Sequence, residues 1–350
     1  MNKEKIVCAL LISMFILSLV LTIPVNASTA DSKGQQVFSY LASEEDKPQN
    51  KPGKPSSATV NLQNIPSGDF LLGTVTIIAQ ASGSTVAKVF YSIDSGSDNP
   101  MSQVGTTGRY QAQWDTSGLT GQHTVTIKAK DSADLVVATS TIVTVTVVSA
   151  PKYELRYEID CMAGYTPSTG VFSYLTDYWL QHAIKVTFKV DDTGIADPTG
   201  DGYISSSDFW KIENDHNAGP DNSKNFGYEY LLPDKWMLYG SFDSNTYVGG
   251  YCYVTRGGTG GNYIFIADGM IQDWQGDYTI PSPGGEIIVA GHEAGHSIGI
   301  LVGGGGEKYD PDYYSIMSNM RTQNSKDIAP YWYYSQTYWA TANPGYYSYP

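Results

Sequence analysis

Hydrophobic and polar positions alternate with period two through much of residues 57–148. Val75, Ile77 and Ala79 fall on one side of one stretch. Val125, Ile127 and Ala129 fall on one side of another, with Thr124, Thr126 and Lys128 opposite. That period is the signature of a half-buried strand. A last run, Ile142–Val148, is rich in Val and Thr. Turn clusters divide the runs: Ser82-Gly83-Ser84, Asp94-Ser95-Gly96-Ser97-Asp98 and Thr116-Ser117-Gly118. About seven short strands at such spacing predict an antiparallel β-sandwich.

After residue 150 the period changes. Tyr153–Asp160 alternates. Ser168–Ala183 carries Val171, Leu175, Tyr178 and Trp179 at helical spacing, and Ile184–Val190 alternates again. This β-α-β order predicts a parallel sheet with a crossover helix. Further strands are expected at Trp236–Gly240, Gly250–Thr255 and Tyr263–Asp268. The fold class is therefore multidomain: an all-β sandwich over 57–148, then an α/β (α+β) domain over 150–350.

The N-terminus has a different pattern. Lys3 and Lys5 precede the apolar run Ile6–Val25, and Val25-Asn26-Ala27 offers small residues for cleavage. Residues 1–27 read as a secretory signal, with an uncleaved anchor as the alternative, so a secreted or cell-surface protein is expected. Residues 28–56 are polar and Pro-rich and read as linker. Beyond the signal only Cys161 and Cys252 remain, and in an exported protein they can form one disulfide or stay as buried thiols.

Composition sharpens this picture. The 350 residues hold 36 Gly, 27 Tyr and 35 Asp+Glu against 21 Lys+Arg, a net charge of −14. Nucleic-acid binding needs a basic footprint, which is missing, so no nucleic-acid partner is expected. At 16% charged and 41% hydrophobic residues the chain is too apolar for a disordered polyanion. Aspartate outnumbers glutamate 25 to 10, which favours loops and hard-cation sites over helices.

One acidic loop, Asp197–Asp208, has the spacing of a twelve-residue calcium loop. Asp197, Thr199 and Asp201 stand at positions 1, 3 and 5, and Gly202 at the sharp turn. The Tyr203 carbonyl stands at 7 and Asp208 at 12. Asp replaces the usual closing Glu, and no clear helix leads in. The same residues also read as a capping box, with Ser205 and Asp208 starting a helix. The two readings can coexist.

There are only five histidines, and two lie in His292-Glu293-Ala294-Gly295-His296. On a helix, residues i and i+4 share a face, so both imidazoles can reach one cation. Zn²⁺ accepts such nitrogens at about 2.0–2.1 Å and leaves a position open, and Glu293 is placed to act as a general base. His123, His182 and His216 lie far back in the chain, and His123 and His216 read as surface residues.

Two resemblances follow from these residues. Val89-Phe90-Tyr91, Trp114-Asp115-Thr116 and the run His123–Asp131 resemble the bacterial immunoglobulin-like modules of exported enzymes, which implies a spacer or a module contacting surfaces or polymers. His292-Glu293-x-x-His296-x-x-Gly299, with Ser315-Ile316-Met317 farther on, resembles the metzincin zinc metalloproteases over roughly 150–350. The resemblance implies that Met317 is the Met-turn residue under the zinc histidines. It implies that strand 262–268 is the edge to which a polypeptide substrate adds. It also implies a C-terminal helix over Ser325–Ala342, with Trp332 and Trp339 on one face.

One departure stands out. The family's third ligand falls three residues after the glycine, where this chain has Val302. A carboxylate beyond the flexible Gly303–Gly306 must replace it: Asp310 first, then Glu307, with Asp312 a further candidate. The expected function is a secreted zinc endopeptidase. The alternative is a non-catalytic, metal-stiffened adhesion protein. No cysteine between 28 and 160 is available to block the zinc in a proform.

Overall fold

The computed structural model describes residues 36–41, 57–105, 108–216, 235–241, 248–254, 261–268, 271, 284–300, 315–317 and 333–342. The expected signal and most of the 28–56 segment lie outside these. So do Val302, Glu307, Asp310, Asp312 and Trp332.

Ten strands build the first unit: β2 Thr59–Leu62, β3 Phe70–Leu71, β4 Thr74–Ser82, β5 Lys88–Ile93, β6 Asn99–Pro100, β7 Ser102–Val104, β8 Arg109–Asp115, β9 Gly121–Lys130, β10 Val136–Thr139 and β11 Val143–Val147. They form one sheet in the order β2-β4-β8-β7 and another in the order β3-β11-β9-β5-β6, with β10 also on β9. The alternating residues close a single core between the sheets. Val75, Ile77 and Ala79 meet Val125, Ile127, Ala129 and Trp114 there, all buried.

The second unit holds a six-stranded sheet in the order β1-β15-β16-β14-β12-β13. Its strands are β1 Gln36–Leu41, β12 Tyr153–Met162, β13 Ile184–Ile195, β14 Lys235–Gly240, β15 Val248–Val254 and β16 Gly261–Ala267. β12, β13, β14 and β16 run parallel, and β15 is antiparallel to β16. Every residue of central β14 is buried, as a parallel strand covered on both faces requires. Helix α1 (Val171–Gln181) makes the crossover from β12 to β13, burying Val171, Leu175, Tyr178 and Trp179. Helix α3 (Gly284–Ser297) lies beside it against β15 and β16. Helix α2 (Ser206–His216) covers the opposite face with Phe209 and Ile212 against Trp236, Leu238 and Phe265.

Four expectations change. Strand β16 is flanked by β14 and β15, so it is not an edge. The antiparallel strand β15 lies outside it, and β15 is itself covered by β1 (Gln36–Leu41), which lies within the segment read as linker. Cys161 and Cys252 are buried free thiols. They sit on β12 and β15, three strand steps or about 14 Å apart, well beyond the roughly 7 Å a disulfide can span. In the C-terminal segment only Gln336–Trp339, helix α4, is helical among the described residues. Ser335 is extended, and Tyr333 bridges Ser315.

Candidate metal centre

Helix α3 is buried along its whole length, which its small residues permit. A Cβ on Gly291 would meet Ile316 and Leu175 at 3.1 Å, and one on Gly295 would stand 2.8 Å from Tyr334 Cε1 and 3.1 Å from Met317 Sδ. These glycines let the 315–317 turn and Tyr334 lie directly on the helix. A Cβ on Gly250 of β15 would stand 2.8 Å from Glu293 Cγ, so the strand passes close over that side chain. At the N-terminus, Glu286 accepts the Ser168 N–H at 3.0 and 3.1 Å, and burial raises its pKa.

The histidines are set by two backbone carbonyls. A carbonyl can only accept, so each Nδ1 carries a proton: His292 Nδ1–H donates to Ile316 O at 3.1 Å and His296 Nδ1–H to Ile300 O at 2.9 Å. The second bond depends on Gly299. Its φ of +86° ends the helix in the left-handed region and turns Ile300 back onto the last turn, with Ile300 N donating to Gly295 O at 3.0 Å. With Nδ1 of each ring turned to a carbonyl, the two Nε2 atoms face each other 3.1 Å apart. His292 is 0% and His296 1% exposed, so no bulk solvent screens that contact. A tetrahedral zinc with about 2.05 Å bonds places its nitrogens about 3.3 Å apart, so the donor pair fits that metal.

Around this pair, Met317 is fully buried with its Sδ against Gly295. Glu293 is fully buried beside His292. Ser297 bonds Tyr157 Oη at 2.7 Å, and its carbonyl accepts from buried Lys235 Nζ at 3.0 Å. Tyr334 Oη donates to Gly291 O. The Ile300 and Ile316 carbonyls, Gly250, Lys235, Tyr157 and Tyr334 are not readable as site residues from sequence. A carbonyl's direction has no residue-type signal, and one tyrosine among 27 has little. Among the described residues no group of three His, Cys, Asp or Glu stands close enough to hold a metal. The candidates for a third zinc ligand lie outside them.

In the 197–208 loop the side chains bond their own backbone. Asp197 accepts from Thr199 N at 2.9 Å and Gly202 N at 2.6 Å. Desolvation opposes the effect, but these N–H groups lower its pKa to about 2. Asp201 accepts from Tyr203 N at 3.0 Å. Asp208 accepts from Ser205 N at 3.0 Å, and its own N–H donates to Ser205 Oγ at 3.3 Å, which completes the capping box.

The remaining histidines pair with aspartates: His123 with Asp94 at 2.7 Å, His182 with Asp69 at 2.6 Å and His216 with Asp192 at 2.9 Å. Burial raises the Asp160 pKa to about 6, although Trp236 Nε1 and Asp192 N donate to it. Burial, with Asp160, Asp268 and Glu286 nearby, pushes Cys161 up to about 12.

Residues 59–127 match the family model of a bacterial Ig domain. The sandwich is thus an immunoglobulin-like module. No curated protein matches the chain. Among solved structures, an endo-β-1,4-mannanase from Thermotoga petrophila is similar at 16% identity and TM-score 0.25, over 29% of this chain and 22% of its own. The fibronectin(III)-like modules of Clostridium thermocellum CbhA are similar at 18% identity and TM-score 0.19, over 26% of this chain and 94% of theirs. A sialyltransferase from Photobacterium damsela is similar at 12% identity and TM-score 0.18, over 50% of this chain and 35% of its own.

Proposed function

We propose that this chain is an exported zinc-dependent endopeptidase with a metzincin-like catalytic domain. The observation that carries the reading is the buried pair of Nε2 atoms 3.1 Å apart, each ring held by a carbonyl at Nδ1. His292 and His296 would hold the zinc, and Asp310 is the first candidate for its third ligand. When bound, zinc polarises a carbonyl and makes water more acidic. Glu293 is the general base: its carboxylate takes a proton from the attacking water and delivers it to the leaving nitrogen. Gly250 leaves room for this side chain under β15. Met317 shapes an apolar floor. The substrate is a polypeptide in extended form.

The test pairs zinc uptake with cleavage of casein or a peptide library. Wild type should bind one zinc and cleave, and a chelator should stop cleavage. Glu293→Ala should keep zinc and lose activity by roughly the 10²–10⁴-fold that general acid–base catalysis contributes. Wild-type protein that binds zinc but cleaves nothing would support the second reading, a metal-stiffened adhesion protein, which the immunoglobulin-like module favours.

Calcium at the 197–208 loop belongs to the same proposal. Asp197, Thr199, Asp201, the Tyr203 carbonyl and Asp208 would supply oxygens, Asp208 through the carboxylate oxygen its capping box does not use. Calorimetric titration with calcium checks this, and absence of heat and of a shift in Tm ends it.

A further inference from the structure

The immunoglobulin-like module does not stand apart from the second unit. Leu72 N donates to Gln181 O at 3.1 Å and Thr76 N to Gln181 Oε1 at 2.8 Å, which ties β4 to the end of α1. Ile78 of β4 is buried in the apolar core of the second unit. Three further hydrogen bonds reach the short segment 333–336. Gln336 N donates to Gln63 O at 2.6 Å, and Gln336 Nε2 donates to Ile65 O. Arg109, at the start of β8 and 4% exposed, donates through Nη1 to Tyr333 Oη and lies 5.1 Å from that ring's centroid.

That segment supports the metal centre. Tyr333 O accepts from Ile316 N at 2.8 Å, and Tyr333 forms a parallel bridge with Ser315. Ser315 Oγ accepts from Met317 N at 3.2 Å and Ser335 N at 3.3 Å. The Ile316 carbonyl, leaving the same turn, accepts His292 Nδ1–H. A continuous chain of contacts therefore runs from the guanidinium of Arg109 through Tyr333 and the 315–317 turn to a candidate ligand ring. Arg109 suits such a post, because its planar fork keeps a fixed direction at little entropic cost.

We infer that Arg109 is a positioning residue for the metal centre: through Tyr333 it holds the turn whose Ile316 carbonyl orients His292. The module is then part of the site's scaffold and not only a spacer. The inference rests on the metal reading of His292 and His296. Partners that orient a metal-bound histidine typically account for 10–100-fold in metal affinity, and Arg109 acts at one further remove.

The test uses the whole chain with Arg109→Met, Arg109→Lys, Tyr333→Phe and the double variant R109M/Y333F. Tyr333→Phe keeps the ring and removes the hydroxyl that accepts from Arg109, so the fold should survive it. Zinc affinity, read by competition with a chelator, should fall about ten-fold in Arg109→Met and Tyr333→Phe. The double variant should be no worse than either single one, as coupling through one contact requires. Arg109→Lys should recover part of the loss. Lys88→Met, which removes an exposed pair with Asp134 elsewhere on the module, should change nothing. The second readout needs no zinc: hydrogen exchange at the Ile316 amide should quicken in the Arg109→Met and Tyr333→Phe variants and not in Lys88→Met. Unchanged zinc affinity and unchanged Ile316 exchange in folded variants overturn the inference. Wild-type protein that takes up no zinc overturns the metal reading instead, and the exchange data then decide the clamp alone.

Discussion

Gly295 shows how one missing side chain sets this site. In an exposed helix Gly→Ala usually adds about 1 kcal/mol of stability. Here the new methyl would stand 2.8 Å from Tyr334 and 3.1 Å from Met317, and overpacking of that kind costs about 1–3 kcal/mol. Gly295→Ala is therefore expected to lower stability in urea and to weaken zinc binding together. A stabilised variant would show that the 315–317 turn yields. Asp160 supplies a pH test. Its folded pKa, raised to about 6 by burial, disfavours the charged form, so its contribution to stability is highest below pH 4 and falls as pH rises to 6. Raising the Asp160 pKa to about 6 corresponds to roughly 2–3 kcal/mol. Asp160→Asn should remove that slope from the pH profile of urea unfolding, and an unchanged slope would assign it to another group. The thiols give a third test. Cys161 and Cys252 are buried with raised pKa values, so alkylation should be slow in the native protein and complete on unfolding.

The elements themselves were largely readable. Val75 to Ala79, Val125 to Ala129 and the α1 face of Val171, Leu175, Tyr178 and Trp179 are buried where their periods placed them. Gly299 ends α3 in the left-handed region, as a glycine three residues beyond His296 suggests. The elements that differ from their local pattern depend on neighbours distant in sequence. The metzincin resemblance makes β16 an edge, and nothing in its own residues reveals that β15 pairs outside it. Strand β1 lies in the segment that reads as linker from its polar and Pro-rich neighbours, and among the described residues it pairs with β15. This pairing has a consequence for the proposed peptidase. Gly250 of β15 lies over Glu293, and β1 covers the outer edge of that strand. Removal of residues 1–41 should open the edge to an extended peptide and raise kcat/KM for cleavage. A synthetic peptide with the sequence of residues 36–41 should lower it again. Equal activity with and without the segment would show that β1 does not compete with substrate.

At the scale of the molecule, the two units share one boundary and should unfold together. Gln181 is bonded twice from the sandwich, His182 pairs with Asp69 at 2.6 Å, and Ile78 contributes to the second core. A single calorimetric transition is expected, coincident with the loss of near-ultraviolet circular dichroism. Two separated transitions would mean that these contacts are too weak to couple the units. The boundary also gives the candidate metal centre a wider base than one helix and one turn.

The sequence by itself determined the local and periodic features: strands of period two, the crossover helix, the histidine pair with its glutamate, and the glycine that stops their helix. Each depends on residues within a few positions of one another, where the geometry of a helix or strand dictates which side chains meet. Tertiary structure alone decided which strand forms the edge, that the two cysteines stand three strands apart, and that the carbonyls of Ile300 and Ile316 orient the imidazoles. It also brought Arg109 of the module to Tyr333. Backbone groups are chemically identical at every position, so only the folded chain can say which of them faces a histidine.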